Sequence, residues 1–103
     1  AVCNMDVYHE LKKNDRFFMV DTATDVKNPR KYSGEVMSPY KYLEDYGQEM
    51  FYGDAYAIEG MSGCGIFDGR GYYLALLSGK TPYNEIAAVP LDVIETEFQK
   101  IRR

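Results

Sequence analysis

Apolar and polar positions alternate along this chain in short blocks, most of them the length of strands. Arg16 to Val20 is an aromatic, β-branched run behind the polar Lys12-Lys13-Asn14-Asp15, which predicts a turn and then a strand. Residues 21–31 mix Asp, Thr, Asn, Pro and basic residues without a period and predict a loop. Tyr32 to Ser38 predicts a second strand, with Gly34 inside it at a position that suits a bulge or bend. Pro39 to Gly47 is polar and rich in tyrosine and predicts an exposed excursion, and Glu49 to Ile58 predicts a third strand running into a glycine-rich turn. Gly65-Ile66-Phe67 predicts a strand that stops at Asp68-Gly69-Arg70-Gly71; Asp-Gly between apolar runs signals a hairpin, because such a turn needs positive φ. Tyr72 to Ser78 and Asn84 to Val89 predict two more strands. From Leu91 the period changes. Leu91, Ile94, Phe98 and Ile101 are three or four apart, which predicts one face of an amphipathic helix over 91–101. Asp92 falls in its first turn and Lys100, Arg102 and Arg103 at its end, as the helix dipole prefers. Six short strands and a final helix predict an all-β fold, a small antiparallel barrel or sandwich with a C-terminal α-helix.

Composition narrows the function classes. A chain of 103 residues is one domain at most and buries a modest core. The net charge is −4 and no basic stripe is present, so no nucleic-acid partner is expected. The longest apolar run, Tyr72 to Leu77, is too short to span a membrane. Because the chain begins at Ala1, the lack of a leader-like segment assigns no compartment. Cys3 and Cys64 match no zinc spacing and the single histidine adds no ligand cluster, so no metal or cofactor is expected. The two cysteines either pair with each other or act as reduced, small apolar residues. Ten tyrosines and no tryptophan suit strands and half-wet surfaces.

The residues that carry chemistry are Gly60-Met61-Ser62-Gly63. A serine hydroxyl is a poor nucleophile that needs a neighbouring base and donors for the oxyanion it creates. Glycine at 60 lets its N–H turn toward that oxyanion beside the N–H of Ser62, and glycine at 63 keeps the far side open for substrate. Four residues of this kind arise often by chance, and the context sharpens the signal. Gly53 to Asp68 resembles the pattern TDAAI-x-x-GNSGGPLFD of trypsin-like serine proteases, in the form found in their HtrA-like branch. Lys13 to Val20 is similar to the strand GD-x-V-x-V-x-G that opens the second barrel of that family, and Tyr32 to Ser38 to the following x-SG-x-VS. Gly69 to Gly79 resembles G-x-L-x-GI-x-S-x-G, and Ile86 to Ile94 resembles G-x-A-x-P-x-x-x-I ahead of the closing helix. These blocks stand in family order over residues 12–101.

The resemblance implies the second half of a chymotrypsin-like double barrel: a six-stranded antiparallel barrel with a C-terminal α-helix. Residues 1–103 would form that barrel, with 1–12 as the linker from an absent first barrel. It implies a serine endopeptidase acting through an acyl-enzyme. Ser62 would be the nucleophile and the amides of Gly60 and Ser62 the oxyanion hole. Tyr56 would begin the base of the first specificity pocket, and Ser78, Gly79 and Lys80 would line the strand that holds the substrate backbone. The partners implied are a polypeptide substrate and the first barrel, which supplies His and Asp. Left uncovered, the face that meets that barrel would lead the isolated chain to self-associate, and the chain by itself would be nearly inactive.

Several residues depart from the family pattern. Met61 stands where an Asp or Asn is usual, which removes a zymogen-type ion pair, and Cys64-Gly65 replaces Gly-Pro. The one histidine, His9, precedes the first barrel strand and reads as a solvated linker residue rather than the base. Cys64 as nucleophile would require glycine two positions earlier, where Ser62 stands. Glu44, Asp45 and Glu49 are scattered without ligand spacing and read as a solvated face, while the tyrosines at 40, 42, 46, 52 and 56 suit either packing or recognition. The rival reading is a non-catalytic barrel that has lost its triad and holds an extended peptide by strand addition.

Overall fold

Alternation becomes strand because one face of each block can be buried. A computed structural model of the chain describes residues 2–21, 27, 30–55, 63–81 and 83–101. Its elements are β1 (Val2–Cys3), α1 (Met5–His9), β2 (Arg16–Asp21), β3 (Arg30–Leu43), β4 (Gln48–Asp54), β5 (Gly65–Phe67), β6 (Tyr72–Lys80), β7 (Glu85–Pro90) and α2 (Leu91–Ile101). Strand β2 pairs antiparallel with β3 and β5, β3 with β4, β4 with β7, β7 with β6, and β6 with β5. Six strands therefore close a barrel in the order β2-β3-β4-β7-β6-β5, and the fold is all-β with a C-terminal helix. Strand β1 adds parallel to the start of β6, with Val2 beside Tyr72 and Cys3 beside Tyr73.

Inside the barrel Phe17 and Met19 of β2, Val36 of β3, Phe51 of β4, Ile66 of β5, Leu77 of β6 and Ile86 and Ala88 of β7 form a continuous buried cluster. Phe17 and Phe51 meet edge to face, with centroids 5.2 Å apart. Two glycines make room for this pair. A Cβ on Gly53 would lie 2.7 Å from the Phe17 ring, and one on Gly34 would strike the same ring and the Asp54 carbonyl. Gly34 is thus not the bulge itself; it lies directly opposite Phe17 in the ladder. The irregularities of β3 come later, between Val36 and Ser38 and between Ser38 and Lys41.

Two segments differ from the sequence expectation. Residues 39–43 belong to β3, which with the first half of β4 forms a long arm (Lys41 opposite Met50, Tyr42 opposite Glu49, Leu43 opposite Gln48). Pro39 is accommodated within the second irregularity, between Ser38 and Lys41, where an N–H is not needed for a regular ladder. The first residues are also structured. Asn4 caps α1 by accepting from the Asp6 N–H at 2.9 Å, and Tyr8 is fully buried. Its hydroxyl donates to the Pro39 carbonyl at 2.5 Å, its ring meets Tyr40 edge-on, and Tyr40 donates to the Asp92 carboxylate at 2.9 Å. These contacts fasten α1 to β3 and to the first turn of α2.

The hairpin between β5 and β6 follows the predicted turn chemistry with one shift. The Asp68 carboxylate accepts from the N–H groups of Arg70 and Tyr72 and pairs with the Arg70 guanidinium at 2.9 Å, and the positive φ of +90° falls on Gly71.

Candidate functional site

Antiparallel closure gives the barrel two distinct ends. At one end β2, β4 and β6 finish and β3, β5 and β7 begin; at the other β7 runs into α2, with α1 packed beside it. The connection from β4 to β5 leaves from the first end. Its start is held by the Ala55 N–H, which donates to the Asn84 carbonyl at 3.0 Å in the β6–β7 turn. Its finish is held against β6: the Gly63 N–H donates to the Leu77 carbonyl at 2.8 Å, and the Leu77 N–H donates to the Cys64 carbonyl at 2.9 Å. Gly63 takes φ +92°, a conformation that side chains disfavour, so glycine is required there. Cys64 keeps its thiol and is buried at the barrel end.

Ser62, Gly60 and Tyr56 lie outside the described residues, as does Met61. What is described is the ground on either side of them. Because Gly63 is bonded to Leu77, the residue after Ser62 sits one position from Ser78 in β6. Ser78, Gly79 and Lys80 pair with β7 through Gly79–Ala87 and Lys80–Ile86. On the opposite side, strand β5 stops pairing at Leu76 and the two bonds of Leu77 are the last. Residues 78–80 thus follow directly on the point where the end of the β4–β5 connection is tied to β6. The Ser78 side chain lies 3.4 Å from the Leu76 carbonyl.

A polar cluster supports the turn from β6 to β7. Thr81 N–H donates to the Glu85 carbonyl at 2.8 Å, while the Glu85 carboxylate accepts from the Tyr52 hydroxyl at 2.5 Å and the Thr81 hydroxyl at 3.3 Å. The bond to Glu85, and burial after it, push the Tyr52 phenol up to about 12. Tyr83, 81% exposed, stands at the tip of the same turn. Nothing local in the sequence pairs Tyr52 with Glu85; their neighbourhood comes from the β4–β7 ladder.

His9 is elsewhere. It is the last residue of α1, exposed, on the helix that Tyr8 and Tyr40 fasten to the α2 end of the barrel. Glu44, Asp45 and Glu49 are exposed on the arm, and no group of three or more metal-ligating side chains occurs among the described residues. Among those residues, too, no helix is long and apolar enough to cross a membrane.

No protein-family model matches the chain, and no curated protein matches it in sequence.

Proposed function

We propose that this chain is the nucleophile-bearing barrel of a serine endopeptidase of the trypsin-like kind. The observation that carries the reading is the strand order. It puts the connection bearing Gly60-Met61-Ser62-Gly63 between β4 and β5, with its end tied to Leu77, directly before Ser78, Gly79 and Lys80 in β6. An extended substrate laid along Ser78–Lys80 would pass its scissile carbonyl near the serine. Ser62 Oγ then attacks the carbonyl carbon, and its proton goes to an imidazole supplied by a first barrel. The N–H groups of Gly60 and Ser62 hold the developing oxyanion. Collapse breaks the C–N bond, the imidazolium protonates the departing amine, and water attacks the ester by the same route in reverse.

A first barrel supplying the imidazole would cover a half-buried apolar strip on the outer face of this one. Phe18, Phe67 and Tyr73 are neighbours across β2, β5 and β6, and Leu76 pairs with Val89 one row further on. Leu76 is 36% exposed. A second reading, a barrel that binds extended peptides without cleaving them, is favoured by one observation. His9, the only imidazole of the sequence, stands at the α2 end of the barrel, away from the nucleophile connection. Pre-steady-state hydrolysis of a chromogenic peptide ester by the natural protein that carries this chain separates the two. A burst of leaving group that disappears in Ser62→Ala supports the peptidase; peptide binding without turnover supports the module.

A further inference from the structure

The arm formed by β3 and β4 is fastened firmly at its base and hardly at all beyond it. At the base Tyr40 donates to the Asp92 carboxylate, the Pro39 carbonyl accepts from Tyr8, and Met50 is buried. None of residues 41–49 is buried. Their hydrogen bonds stay within the arm. The ladder pairs 41–43 with 48–50, the N–H groups of Tyr46 and Gly47 donate to the Leu43 carbonyl at 3.1 and 2.9 Å, and the Gln48 amide donates to the Met50 sulfur. Among the described residues, no hydrogen bond or ion pair ties 41–49 to β6, β7 or either helix. Contact with the barrel wall is made by Tyr46, whose hydroxyl reaches β6 and occupies the space that a Cβ on Gly79 would fill. Gly79 and Tyr52 both pair with Ala87, so all three face the outside of the wall. Ala87 is nevertheless only 3% exposed, and with Leu43, Tyr46 and Tyr52 among others it lines a cavity of about 370 Å³ between arm and wall.

A hairpin tip with no buried side chain of its own gives up little apolar area when it lifts. The wall it leaves is equally undemanding there, since Gly79 offers no side chain to water and Ala87 a single methyl. The ladder also breaks register between Ser38 and Lys41, at the root of the tip, so the tip can turn without parting a regular run of strand bonds. Low cost and a break at the root make lifting a local event that the barrel does not share. We propose that residues 41–49 are a strap that opens and closes over the outer face of β6 and β7, with Tyr46 as its latch and Gly79 as the notch. Closed, the strap seats the Tyr46 hydroxyl against Gly79 and shields Ala87; open, it leaves both to solvent. The notch requires glycine, because any Cβ at 79 meets the phenol. Substitution at either end of the latch therefore releases the same strap. This device goes beyond the peptidase reading and is independent of it: it governs access to the wall, whatever the chemistry of Ser62.

A thiol placed under the strap by Ala87→Cys reads the opening. The natural protein that carries this chain, with that substitution, is treated with iodoacetamide, and alkylation at position 87 and at the buried Cys64 is followed by mass spectrometry. The closed strap shields position 87, so alkylation there is expected to be slow. Tyr46→Ala should speed it about tenfold and leave Cys64 unchanged. Gly79→Ala should do the same, and the two together should add nothing to either alone, because both release one latch. Alkylation at position 87 that is fast from the start, that Tyr46→Ala does not change, or that the two substitutions raise independently overturns the inference. So does a parallel rise at Cys64, which would mean that the substitutions loosen the whole barrel rather than the strap.

Discussion

Phe17 sets the terms for its neighbours. Its ring fills the middle of the barrel only because position 34, opposite it on β3, and position 53, one strand further on in β4, carry no Cβ. Gly53→Ala is therefore expected to destabilise the chain by about 1–3 kcal/mol through overpacking, read as a lower urea midpoint. Phe51→Ala, which removes the other ring of the pair, should cost about 3–5 kcal/mol. The tyrosines give a pH signature. Tyr40, raised to about 12 chiefly by burial and then by its bond to Asp92, and Tyr52, raised to about 12 chiefly by Glu85, both favour the neutral phenol in the folded state. That stability is fully present below the ordinary tyrosine value of about 10 and is lost as pH rises from there through about 12. Urea midpoints should fall across that interval, less steeply in Tyr52→Phe; a midpoint that stays level contradicts the assignment. A glycine inside a strand was legible in the sequence at Gly34, but its reason was not, because Phe17 is a neighbour only after β2 and β3 have paired.

At the level of elements, blocks with a clear period were readable and the others were not. The alternation of β2, the Asp68-Gly69 turn and the spacing from Leu91 each predicted the element that forms. Residues 39–43 read as an excursion because Pro39 and the polar tyrosines hide a strand whose two irregularities break the alternation. The helix Met5–His9 was not legible because five residues are too few to show a helical period; Asn4 was the available signal. The arm beyond Ser38 has exposed residues at 41, 42 and 44–47 and no buried apolar side chain between Leu43 and Glu49. Its amides are expected to exchange with solvent well before those of β2 and of β4 beyond Met50, measured by native-state hydrogen exchange. Equal protection along the whole of β3 would contradict a weakly held arm.

For the whole molecule, the barrel and its closing helix followed from the sequence. The described residues hold the two ends of the β4–β5 connection and Ser78–Lys80 of β6, while Ser62, Gly60 and Tyr56 lie outside them. Tyr46 was legible only as one of several tyrosines, since its partner Gly79 is remote in sequence and is reached through the fold of the arm. The outer strip of Phe18, Phe67, Tyr73, Leu76 and Val89 should make the isolated chain associate with itself. Sedimentation velocity should show a concentration-dependent shift that Leu76→Glu suppresses; a monodisperse monomer at all concentrations would remove the argument for a covering barrel. In the function proposed above, Ser62 is a nucleophile activated by groups outside these 103 residues. A fluorophosphonate probe tests it most directly, applied to the natural protein and to this chain alone, with the adduct mapped by mass spectrometry. Loss of the base in a serine hydrolase costs on the order of 10⁶ in turnover. An adduct is expected on Ser62 of the natural protein, none after Ser62→Ala, little on the isolated chain, and no effect of His9→Ala. A natural protein that carries a first barrel with His and Asp yet takes no label at Ser62 would contradict it.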